Sequence, residues 1–249
     1  MSLMPLKKHI PNFLTCMNIF AGSIGIVCVF NGNSELAALF MAIALVFDYS
    51  DGMMARLLHA KSEIGLQLDS LSDVVSFGVL PGFIVMKLME QSSNLPACYA
   101  GQTNLCPYLA LIIPVFSALR LAKFNIDTRQ TESFLGVPTP ANAIFFGSFP
   151  LIIMQSVNHP AYAPVAAFLS NWWILALLVI VFSGLLVSEI PLYSFKFRNL
   201  AWRQNYIRYI IIISSVILLI ALRYTAIPLI IILYILISLA ARPKQILPD

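Results

Sequence analysis

Long apolar runs, each close to the length of a bilayer crossing and each closed by a polar or Pro/Gly cluster, leave this chain few ways to fold. They cover roughly residues 10–30, 34–56, 66–89, 107–125, 140–157, 165–187, 206–222 and 224–241. A hydrocarbon core needs about 20 apolar residues per helix, and helices cross it because they satisfy every backbone N–H and C=O internally. The expected fold is an all-α integral membrane protein, a polytopic bundle of about eight transmembrane helices. Composition excludes a soluble surface, since 59% of the 249 residues are hydrophobic and only 10% charged, with a mean hydropathy of +0.86. The break at Arg223 and Tyr224 is short enough to be a kink. Lys7 and Lys8 precede the first run as they would in a signal peptide. That run is long for such a segment and lacks a small-residue cleavage site, so it reads as a mature helix. No soluble domain, low-complexity tract or strong internal repeat interrupts residues 1–249, which read as a single membrane domain.

Eight spans put the loops on alternating sides, and the 15 Lys and Arg then divide thirteen to two. Only Lys87 and Arg223 fall on the poorer side. Basic residues are retained in the cytosol, so both termini are expected there. The net charge of +4 thus reads as topology and anionic-lipid contact, with no nucleic-acid partner expected. The four cysteines contain no C-x-x-C pair and make no metal site. Cys16 and Cys28 read as packing residues, whereas Cys98 and Cys106 share one loop expected to face away from the cytosol. A disulfide between them is an open alternative.

Four aspartates stand at membrane depth in the segment from Phe47 to Gly82. Burying an ionised carboxylate there costs several kcal/mol, so such residues point to function. Asp48 and Asp51 are spaced i, i+3 and Asp69 and Asp73 i, i+4, which puts each pair on one face of its helix. Counted from the turn near Lys61, all four lie about 12–20 Å into the helices at about 1.5 Å per residue. An antiparallel hairpin can therefore gather them. Such a cluster without cations at its level repels itself, and an oxygen-only donor set suits hard ions such as Mg²⁺, Mn²⁺ or Ca²⁺. Gly52 and Ala55 keep the adjoining face open, and Arg56 stands where a guanidinium can clamp a phosphate.

Together these residues spell D-x2-D-G-x2-A-R-x8-G-x3-D-x3-D, from Asp48 through Gly65 to Asp73. That pattern resembles the signature of the CDP-alcohol phosphatidyltransferases. The resemblance implies two divalent cations, Mg²⁺ or Mn²⁺, held by Asp48, Asp51 and Asp69 with a contribution from Asp73, which also acts as general base. It further implies that Gly52, Ala55, Arg56 and Gly65 meet the CDP-lipid in a cytosol-facing polar cavity. Asn12 and Thr15 on the first span are added as candidates for nucleotide contact; with Asn18 they recur every three residues, a spacing that also glues helices together.

Further stretches resemble the phosphatidylserine synthases of that family: IPNFLTCMNIFAG at 10–22, LDSLSDVVSFGVLPG at 68–82, ALRLAKFN at 118–125, FLGVPTPANA at 134–143 and VSEIPLYSFK at 187–196. The last departs from the subfamily, which often has a basic residue where Glu189 or Ile190 stands. The resemblance implies transfer of a phosphatidyl group from CDP-diacylglycerol to L-serine, with a catalytic core at 10–196, an added helix pair at 206–241 and a homodimer. Arg120 and Lys123, one turn apart, are candidates for the serine carboxylate, although the positive-inside rule alone also explains them. Glycerol 3-phosphate or inositol as acceptor, and a cation transporter built on the same carboxylates, are the competing readings. Compact length and the lack of targeting extensions favour a bacterial inner membrane.

Overall fold

The computed structural model describes residues 4–127, 133–193 and 202–241. Its helices are α1 (Met4–Phe30), α2 (Ser34–Leu57), α3 (Glu63–Asp73), α4 (Leu80–Glu90), α5 (Ile112–Ile126), α6 (Thr139–Asn158), α7 (Ala163–Leu169), α8 (Trp172–Val187), α9 (Trp202–Leu222) and α10 (Ala226–Ala241). The architecture is all-α, as the apolar runs require. Six stretches among the described residues are long and apolar enough to cross a membrane, seven if one bent pair counts as a span.

One span differs from expectation, and the last two meet it. The run at 165–187 is broken, because Pro160–Leu169 and Trp172–Val187 meet at 66°. Asn171 sits at the break and its side chain accepts from the N–H groups of Trp173 and Ile174, capping α8 and fixing a new helix start. By length and hydropathy alone, Asn205–Ala240 is one stretch of 36 residues. At about 1.5 Å per residue that far exceeds a core of about 30 Å. It is a hairpin: α9 packs against α10, Arg223 turns with φ +52°, and both far ends lie at Tyr193. The Tyr193 N–H donates to Ser238 Oγ at 3.4 Å and its carbonyl accepts from the Tyr234 hydroxyl at 2.8 Å, while Tyr206 and Arg208 of α9 lie within its electrostatic range.

The α1–α2 turn follows local rules. Gly32 takes φ +79°, and the Asn33 side chain accepts from the Leu36 N–H at 3.0 Å as the cap of α2. Ala37, Met41 and Ala44 then bury the α2 face that packs on α1 and α6. The core lies deeper, where Phe145 and Phe146 of α6 pack on Phe182 of α8 and Phe149 packs on both Phe145 and Phe146; the Phe145 and Phe182 rings stack at 3.8 Å. Helices α4 and α8 both pack against α6.

Two small antiparallel sheets went unexpected because their strands are too short for a periodic signal. Tyr99–Ala100 (β1) pairs with Thr103–Asn104 (β2) at one end of the bundle. Ser133–Leu135 (β3) pairs with Pro191–Tyr193 (β4) and ties the α5–α6 connection to the segment after α8. Pro138 caps α6 and Pro140 occupies its first turn, where a missing N–H costs nothing.

Candidate active site

Helices α2 and α3 supply the acidic face, yet they hardly touch each other; α1 packs against both and holds them apart. Its grip is polar. Asn18, fully buried, donates from Nδ2 to Ser72 Oγ at 3.0 Å, and Ser76 donates to the Asn18 carbonyl at 3.1 Å. A Cβ on Gly22 would collide with Ser76, so the close approach of α1 depends on that glycine. Immediately after Asp73 the helix widens into a π-turn, Val74–Val79. Such turns cost backbone hydrogen-bond geometry and cluster at functional sites.

In the resulting gap, carboxylate oxygens of Asp48, Asp51 and Asp69 lie within 4.8 Å of one another. Asp73 stands outside that trio but beside it, its carboxylate within hydrogen-bonding reach of Asp48. Asp51 and Asp73 are 6% and 7% exposed, and each has a buried carboxylate oxygen with no partner. Three convergent acidic oxygens, two orphaned ones and an all-oxygen donor set fit a hard divalent cation. The salt bridge between Lys87 and Glu90, at 3.1 Å, lies elsewhere.

The other expected contacts fall on two sides of this cluster. Thr15 lies against Asp51, while its hydroxyl donates to the Pro11 carbonyl at 3.0 Å. Gly65 is a point of close approach: its N–H donates to Ser62 Oγ, and a Cβ there would stand 2.9 Å from that oxygen and 3.1 Å from Asn12 Oδ1. Gly52 is different, because a Cβ there would meet only Arg56 Nη1 at 3.8 Å. Open space lies before it. Ala55 and Arg56 line an open groove of about 660 Å³ with His59 and Lys61. The sequence reading did not single out His59, although a φ of +49° in the α2–α3 turn sets it apart.

On the opposite side, Arg120 and Lys123 border a partly open cleft of about 370 Å³ with Asp127, Ser188 and Glu189 among its walls. They are unlike each other. Arg120 is 7% exposed, donates to Thr139 Oγ1 at 3.1 Å, lies over the Phe124 ring and has Asp73 within electrostatic range. Its Nε has no partner. Lys123 is exposed. Asn142, one turn after Thr139, was missed by sequence reasoning; it is fully buried and neither polar side-chain atom is bonded. An Asn within an apolar helix was the available signal. Lys196 falls outside the described residues, as does the end of the 187–196 stretch.

The profile of the CDP-alcohol phosphatidyltransferases matches residues 8–182. Among curated proteins, the CDP-diacylglycerol–serine O-phosphatidyltransferase of Helicobacter pylori is 33% identical over 136 residues, 54% of this chain and 54% of the relative. The Bacillus subtilis protein of the same name is 33% identical over 153 residues, 61% of this chain and 78% of the relative. The archaetidylserine synthase of Methanothermobacter thermautotrophicus is 29% identical over 162 residues, 63% and 64% of the two chains. Against the first of these, the chain spans about half the relative's length. The match covers the acidic face, the α1 brace and the Arg120 cleft wall, and on it this integral membrane chain belongs to the CDP-alcohol phosphatidyltransferase family.

Proposed function

We propose that the protein transfers a phosphatidyl group from CDP-diacylglycerol to the hydroxyl of L-serine, releasing CMP. The observation that carries this reading is the convergence of Asp48, Asp51 and Asp69, with Asp73 beside them, next to the open face of Gly52. The names of the relatives in Helicobacter pylori and Bacillus subtilis support serine as the acceptor.

Asp48, Asp51 and Asp69 hold two divalent cations, Mg²⁺ or Mn²⁺, with Asp73 contributing at the margin. When bound, such ions neutralise a diphosphate and stabilise the departing phosphate. The chain's own groups do the rest. Gly52 and Ala55 admit the nucleotide diphosphate against the backbone, and Arg56 clamps it with paired N–H donors. Gly65 lets the α3 start come close to Asn12, and Thr15 sits on the same side. Asp73 takes the proton from the acceptor hydroxyl as its oxygen attacks the lipid-side phosphorus. Buried and short of partners, Arg120 offers its guanidinium to the serine carboxylate, with Lys123 at the mouth of the cleft.

Residues 10–196 form the catalytic core and 206–241 an added helix pair. The thirteen-to-two division of Lys and Arg supports a site and termini on the cytosolic face of a bacterial inner membrane. A homodimer follows from the family resemblance. The direct test supplies purified protein with CDP-diacylglycerol, Mn²⁺ or Mg²⁺ and labelled acceptors. CMP release is expected with serine, and release with inositol or glycerol 3-phosphate in its place overturns the acceptor.

A further inference from the structure

At the end of the bundle away from the aspartates, the connection between α4 and α5 is closed by the β1–β2 hairpin. The hairpin carries Cys98 just before its first strand and Cys106 two residues after its second. Both are free thiols in the structure. Their backbones are held together by one side chain: Asn104 Oδ1 accepts from the Cys98 N–H at 3.4 Å and from the Cys106 N–H at 3.1 Å. Its Nδ2 donates to the Pro96 carbonyl at 2.8 Å. Across the ladder the Leu105 N–H donates to the Cys98 carbonyl at 2.8 Å, which sets Cys106 one residue beyond the position opposite Cys98. Each thiol lies within electrostatic range of the other. Nothing in the transfer chemistry uses either one.

The hairpin also has something to hold. Leu95 and Cys106 pack against the core, and Asn94 Oδ1 accepts from the Trp172 N–H at 2.9 Å, joining this connection to the start of α8. Among the fifteen basic residues only Lys87 and Arg223 fall on this side.

We propose that Cys98 and Cys106 form a disulfide that staples the α4–α5 connection on the extracytosolic face. The S–S bond forms as the two thiols lose two protons and two electrons. The electrons pass to a disulfide-exchanging protein oxidant of that compartment, through a mixed disulfide with one of the two sulfurs. Oxidising compartments preserve such bonds and the cytosol does not, so the proposal rests on the orientation given under the proposed function. The staple restricts the unfolded connection and leaves the aspartate site untouched.

The test uses the full chain in its native membrane. Thiols are blocked under denaturing conditions with one maleimide, reduced, and labelled with a heavier one, and the peptide carrying both cysteines is read by mass spectrometry. Cys98 and Cys106 should take the heavy label while Cys16 and Cys28 take the light one. Light label on all four overturns the proposal. In intact cells, an impermeant reductant followed by an impermeant maleimide should modify the pair, and no modification overturns the assigned face. Reductant should lower the melting temperature of the wild type and leave that of the C98S/C106S double variant unchanged; equal responses overturn the stapling role. None of these readouts needs turnover, so failure of the transferase reading is seen separately, in the absence of CMP release.

Discussion

Two helical hairpins in this protein share a plan and differ in what lies between their arms. Both turns hold a non-glycine residue in the left-handed region, His59 at φ +49° and Arg223 at φ +52°. In the α9–α10 hairpin the arms pack on each other, and Ile213, Ile217 and Ile220 of α9 are exposed on its outer face. The α2–α3 arms stay apart, with α1 braced across both and carboxylates facing the gap. Buried apolar side chains such as Ile211, Ile231 and Ile235 close the first hairpin by dispersion. The α1 brace keeps the second open, and acids from both arms meet across the gap it leaves.

The largest effect should come from the acids that face the gap. Asp69→Asn should abolish both metal binding and CMP release. Asp73→Asn should lower kcat by about 10³-fold while metal and CDP-lipid binding survive, as for loss of a general base. Parallel loss of binding and turnover in Asp73→Asn would recast it as a ligand.

Chelation is the next test. Removing divalent metal should stop turnover reversibly and lower the melting temperature, since the trio then faces itself uncompensated. Asp51→Asn should blunt the thermal response to metal, and a full response in that variant would separate the cluster from the ion.

Smaller effects probe the walls. Gly65→Ala should raise KM for CDP-diacylglycerol by about tenfold through displacement of Asn12 and Ser62. Its kcat should change less. Arg120→Gln should raise KM for serine more than for CDP-diacylglycerol, and equal shifts in the two would place Arg120 outside acceptor binding.

The smallest effect belongs to the closed hairpin. Tyr234→Phe removes the bond to the Tyr193 carbonyl and should cost about 1 kcal/mol of stability. Turnover should fall far less than in Asp73→Asn, although Tyr234 lies within electrostatic range of Arg120. A loss of activity as large as that of Asp73→Asn would break the contrast between the two hairpins.

Much of this was legible in the linear chain for a simple reason. Burial in lipid is decided over runs of about 20 residues, so the apolar stretches, the helical class and most boundaries could be read directly. The i, i+3 and i, i+4 spacing of the aspartates likewise fixed their shared faces, because helical geometry is local. The break at Asn171 was hidden, since one capping side chain decided it inside an apolar run. Asn142 and His59 were hidden for another reason: whether a polar atom lacks a partner, or a turn takes a positive φ, depends on what surrounds it.

The sequence by itself determined a membrane bundle with four acids at one depth. Only the tertiary structure decided that α1 would hold their helices apart, that Asp73 would stand beside the trio rather than within it, and that Arg120 would be buried while Lys123 was not. Those outcomes depend on packing between helices distant in the chain, where side-chain volume and shared polar contacts act, and neither is written in the spacing of residues along one helix.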